Sequence, residues 1–70
     1  MAKKDGAALL DEVMTKHSLT REEAAAKVQT TGATISRLLT RARGPGLALA
    51  IRIKRKFGIP PEAWVSADAA

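Results

Sequence analysis

The chain has 70 residues, no cysteine, no tyrosine and two aromatic side chains, Phe57 and Trp64, so a single small core must come from Leu, Ile, Val and Ala. Twelve Lys and Arg against seven Asp and Glu leave a formal charge of +5. This composition excludes disulfide and thiolate–metal staples, and no apolar run approaches the roughly 20 residues of a membrane span. Sparse Gly and Pro, with plentiful Ala, Leu, Lys, Arg and Glu, predict an all-α bundle in one domain, residues 1–70. Its ordered core is expected over about residues 4–65, with a frayed tail at 66–70.

Five helical segments are predicted in chain order. The first spans about Lys4 to His17, with Leu9, Leu10, Val13, Met14 and His17 on one stripe. His17 ends that stripe as a partly buried helix-end residue that favours the dipole. The N-terminal "MAKKDGAALLDEV" has no signal-peptide core, because charges interrupt it at once, so a cytoplasmic setting is expected.

The second helix opens at "LTREEAA", where Thr20 and Glu23 have the spacing of a capping box and Leu19 and Ala24 that of a hydrophobic staple. It should run to about Val28, with Ala24, Ala25 and Val28 facing inward. The link "QTTG" leads to a third helix over residues 31–43, with Thr31 as N-cap. On that helix Ile35, Leu38, Leu39 and Ala42 follow core spacing. Ala33, Ser36, Arg37 and Thr40 form a second stripe, small at its start and cationic in its middle.

Gly44-Pro45-Gly46 breaks the chain. A fourth helix, "LALAIRIKRKF", follows, with Leu47, Leu49, Ala50, Ile53 and Phe57 expected on its inner face and Gly58 as its stop. Pro61 suits the first position of a last short helix carrying Trp64.

The placement of charge is more informative than its amount. No Asp or Glu occurs from Ala24 to Pro61, while Lys27, Arg37, Arg41, Arg43, Arg52, Lys54, Arg55 and Lys56 all do. Such asymmetry points to a polyanion. A capped helix, a short link and a helix with one aliphatic and one small, polar face have the pattern of a helix-turn-helix reader of double-stranded DNA. Arg37 is suited to bidentate contact with guanine, and Ser or Thr to either base type. Arg41 and Arg43, at the end, would reach phosphates.

Residues 19 to 65 resemble the lambda-repressor-like (Cro and repressor, or XRE-type) helix-turn-helix domains. The pieces that carry the likeness are "LTREEAAAKV", "TISRLL", the proline at position 45, "LALAIRI" and "FGIPPEAW". The second half is similar to small phage or prophage Cro-like regulators and to the DNA-binding antitoxins of host-inhibition toxin–antitoxin pairs. The resemblance implies a compact five-helix domain whose helices two and three form the reader. It aligns Thr31, Gly32, Ala33 and Arg37 with base-contacting positions, bordered by Thr34 and Ser36. Arg21, together with Thr30, Thr40, Arg41 and Arg43, then falls to the phosphate backbone.

Two departures from the family pattern stand out. Gln29 occupies a position where the family prefers Gly, and a positive φ there costs roughly 1 kcal/mol. Gly32 and Ala33 replace longer polar readers, which moves direct readout to Arg37, Ser36 and the threonines and implies either narrower base specificity or more reliance on DNA shape.

Family members usually dimerise, and Ile59, Trp64 and Val65 are the candidate interface, with Ile59 and Trp64 alternatively closing the core over helix four. The implied function is a repressor that occupies an operator as a homodimer; the alternative is an antitoxin that also binds a toxin protein. A membrane-surface role is disfavoured because Arg52, Lys54, Arg55 and Lys56 surround most of helix four. One His, no Cys and no central acid leave no nucleophile–base pair, metal site or cofactor site to nominate, so no enzyme is expected. RNA binding lacks an exposed aromatic platform.

Overall fold

A computed structural model of the chain describes residues 4–64. Val65 and the tail 66–70 lie outside the described residues, as do residues 1–3. Four α-helices follow one another: α1 (Gly6–Lys16), α2 (Arg21–Lys27), α3 (Gly32–Leu39) and α4 (Leu47–Phe57). The expected fifth helix is a single 3₁₀ turn at Pro61–Trp64, and no strand occurs among the described residues.

The helix starts follow local chemistry. Asp5 caps α1, its Oδ1 accepting from the Ala8 N–H at 3.0 Å, so the helix begins two residues later than the expected start at Lys4. Thr20 and Glu23 form the reciprocal box, with Thr20 N–H donating to Glu23 Oε1 at 2.8 Å and Glu23 N–H to Thr20 Oγ1 at 3.1 Å. Thr31 caps α3. Gly46 begins α4 without any side-chain cap.

The helix ends share one device. Ser18, Gln29 and Arg41 adopt φ of 54°, 60° and 63°, in the left-handed region, just past α1, α2 and α3. After α1, Ser18 N–H donates to Thr15 O and Leu19 N–H to Met14 O. After α2, Gln29 bonds Ala26 and Thr30 bonds Ala25; after α3, Arg41 bonds Leu38 and Ala42 bonds Arg37. Each is the paired closure of a Schellman motif, formed here without glycine. Gly58, at φ 74°, ends α4 with the residue type that such a turn favours.

This device shortens α3. Its expected span to residue 43 is cut at Leu39, with Thr40 as C-cap, because Arg41 turns the backbone out of the helix. Ala42, expected in the core, is therefore exposed.

The core consists of Leu10 and Met14 of α1, Ala24, Ala25 and Val28 at α2, Ile35 and Leu38 of α3, Ile53 of α4, and Ile59. Each large aliphatic buried there contributes about 1.5–3 kcal/mol. The small residues of α2 let α3 approach closely, and these two helices pack together more extensively than any other pair.

Three expectations about burial are corrected. His17 is exposed, since α1 ends before its stripe reaches it. Leu47, the first residue of α4, is 77% exposed although its spacing matches the inner face. Of the two readings of Ile59, surface candidate or core residue over helix four, its 2% exposure corrects the first: it completes the core. Trp64 packs against the core and lies across Gly6, where a Cβ would overlap its ring. Its indole N–H is buried and finds no partner among the described residues.

Candidate nucleic-acid interface

On α3 the inner stripe is fully packed, with Ile35 at 0% and Leu38 at 1% exposure. Leu39 is half-buried. The opposite side presents Ala33, Arg37 and Thr40 to solvent, with Thr34 and Ser36 half-buried along its edges. Gly32, named as a base-reading position, is buried: the Glu22 carboxylate lies where its Cβ would be. That contact sets a negative charge against the first turn of α3, where the helix dipole is positive.

A shallow cleft of about 270 Å³ runs beside this outer face. It brings together Thr30, Thr34, Arg37 and Arg43 over a floor of Leu38 and Leu49, closed by the Gly44-Pro45-Gly46 turn. Four of the residues singled out from sequence thus converge. Arg37 and Arg43 have no carboxylate partner among the described residues. Their donors remain available to an anion.

Other hydroxyls are partly committed. Thr31 Oγ1 accepts from the Thr34 N–H at 3.2 Å and lies 3.1 Å from Thr34 Oγ1. Thr40 Oγ1 donates to Arg37 O at 3.3 Å. These bonds fix side-chain orientation at both ends of α3 while leaving the methyl groups of the threonines for apolar contact. Arg21 is exposed on the first turn of α2 and does not line the cleft.

Arg41 does not join the cleft either. Its Nε donates to Asp5 Oδ2 at 2.6 Å and its Nη2 to Asp5 Oδ1 at 2.9 Å, a bidentate pair across 36 positions of sequence. The Arg41 guanidinium, then the Ala8 N–H, hold the Asp5 carboxyl below its ordinary value. Stability from a carboxyl depressed in this way is present above its unfolded value and fades as pH falls through the lower folded one.

Three residues outside the sequence-based site also bear on it. Arg52 Nε donates to Val28 O at 2.8 Å, which satisfies a terminal carbonyl of α2 and anchors α4 to the turn before α3. Leu47 and Ile51, one helical turn apart on α4, are the large hydrophobics left exposed among the described residues, at 77% and 41%. Arg52 was visible only as one more cation, since nothing local marks its carbonyl partner. Leu47 was read as part of the inner face of α4, and Ile51 was not assigned to it.

Among the described residues no helix is long and apolar enough to cross a membrane. No curated protein and no solved structure matches the chain. A helix-turn-helix family model does match, over residues 10–64, which covers α2, α3, α4, the terminal turn and most of α1. With the outer face of α3 and its cationic cleft, that match places the chain in the XRE-type, lambda-repressor-like helix-turn-helix family of DNA-binding regulators.

Proposed function

We propose that the protein is a sequence-specific cytoplasmic repressor, in which α2 and α3 form the helix-turn-helix and α3 lies in the major groove of a near-palindromic operator. The observation that carries this reading is the convergence of Thr30, Thr34, Arg37 and Arg43 on one cleft beside the exposed face of α3. Arg37 reads a base edge, with Thr34 and Ser36 beside it. Arg43, Thr30, Thr40 and Arg21 fall to phosphates, and Arg41 does so from the other side of the loop. Small Ala33, exposed near the start of α3, allows close approach of the helix to the groove.

A module of this size seldom reaches operator-level affinity alone, and dimeric readers place their helices about 34 Å apart on DNA. The longest dimension of the molecule, 32 Å, is comparable to that spacing. Leu47 and Ile51 offer an exposed apolar pair for contact between copies in place of the buried Ile59. Trp64 contributes at most an edge, being packed on α1.

Selection of bound sequences from random duplex DNA, followed by binding across a salt series, tests the reading. A near-palindrome with half-sites one helical turn apart is the expected product. With about six phosphate contacts per domain the log–log salt slope should be near −5. Salt-sensitive binding without sequence enrichment would reduce the protein to a nonspecific basic domain.

A further inference from the structure

Among the described residues, Arg41 is the one phosphate candidate whose side chain is held by a distant part of the chain. Its position is fixed twice. The backbone at φ 63° closes the Schellman turn of α3, and the side chain is clamped by Asp5 through Nε and Nη2. Asp5 is in turn fixed as the N-cap of α1, using the same Oδ1 that receives Arg41 Nη2. Asp5 thus joins the start of α1 to the loop after α3.

The clamp engages one edge of the guanidinium. Both Nη1 hydrogens and one on Nη2 are not used by Asp5, so Arg41 retains donors for a second anion. Its charge, however, is offset by a carboxylate 2.6 Å away. Seen from a distant phosphate, the pair is a near-neutral dipole and draws little counterion release. In hydrogen-bond contact the remaining donors are still strong and directional. Nonspecific binding depends almost wholly on the first effect, and register-dependent binding gains from the second.

From this arrangement we propose that Asp5 is a positioning residue that sets DNA specificity: by clamping and neutralising Arg41, it withholds that cation from arbitrary duplex and presents it only to a correctly registered phosphate. The inference rests on the reading of Arg41 as a phosphate contact. Free cations such as Arg43 attract any duplex; Arg41 rewards the right one.

The test uses the full chain and four proteins: wild type, Asp5→Asn, Arg41→Ala and the double variant. Asparagine is as good an N-cap as aspartate, so Asp5→Asn keeps the start of α1 while removing the charge. Each protein is titrated across a salt series with random-sequence duplex and with the duplex selected by the wild type. Asp5→Asn should bind random duplex several-fold more tightly, with a salt slope steeper by about 0.9, the value for one more neutralised phosphate. Affinity for the selected duplex should rise less, so the ratio of the two falls. In the Arg41→Ala background Asp5→Asn should have little effect on either duplex.

An equal effect of Asp5→Asn with and without Arg41 would overturn the proposal, leaving a simple change of net charge. Wild-type binding to DNA that Asp5→Asn leaves unaltered would also overturn it, while the DNA reading stood. Failure of the wild type to bind any duplex would remove both.

Discussion

Helices α3 and α4 are built on the same plan and expose different chemistry. Each buries an aliphatic stripe, Ile35 with Leu38 in α3 and Ala50 with Ile53 in α4. What α3 leaves outside is small and polar around a single long cation at Arg37. What α4 leaves outside is mixed: Leu47 and Ile51 at its start, then Lys54, Arg55 and Lys56 at its end. Those last cations sit at the negative pole of their own helix, where they stabilise it without any ligand. Arg37 lies instead in a cleft with a second cation and two threonines. An exposed charge therefore says little about binding until its neighbours are known.

The inner stripes offer the strongest way to break this comparison, because there the two helices should behave alike. Ile35→Ala and Ile53→Ala each empty a fully buried site and should cost about 2–5 kcal/mol in urea unfolding. If only one of them did so, the shared plan would be wrong.

The outer faces should then separate the helices. Arg37→Ala is expected to lose about 1–3 kcal/mol of discrimination at one base pair per half-site. Arg43→Ala should weaken all sequences alike and reduce the salt slope by about 0.9. Arg55→Ala, equally exposed on α4, should leave the base preference measured by competition with mismatched duplexes unchanged. Arg37→Ala behaving like Arg43→Ala would remove Arg37 as the base reader.

The turns at the two helices allow a smaller, signed test. Gln29 takes a left-handed conformation before α3, so Gln29→Gly should raise stability by up to about 1 kcal/mol. Gly58→Ala at the end of α4 should lower it by a similar amount. Thermal melting of the two variants should move in opposite directions.

The smallest effect on stability is expected at Leu47. Leu47→Ser should shift folding free energy by no more than about 0.5 kcal/mol, since the side chain is not in the core. Its effect should appear instead in sedimentation, as a shift toward monomer. A large loss of stability would show that α4 depends on its first turn more than its exposure indicates.

Which of these features the sequence made legible follows from how local their causes are. The capping box of α2, the Thr31 cap and the Gly58 stop were all readable, because each is settled within four residues. The end of α3 was not. Periodicity carried it to residue 43, and arginine at position 41 gives no sign of the left-handed turn that cuts it short. The same limit hid the Asp5–Arg41 clamp and the Arg52 bond to Val28, which join positions 36 and 24 apart. Ile59 was left between surface and core for a related reason: an isoleucine between a helix stop and two prolines has no periodicity to assign its face. Arg37, Arg43, Thr30 and Thr34 were identifiable as residues, but their convergence depends on how the 44–46 turn folds back toward α3.

Trp64 has a practical consequence. It is the only indole in the chain, its ring covers Gly6, and its N–H is buried without a partner among the described residues. The molecule therefore carries its own optical gauge of whether residues near its two ends are in contact. Its emission should be blue-shifted while the ring is seated and move to the red when α1 lifts away, even if α2 and α3 remain folded. The seam between first helix and last turn can be followed without any label.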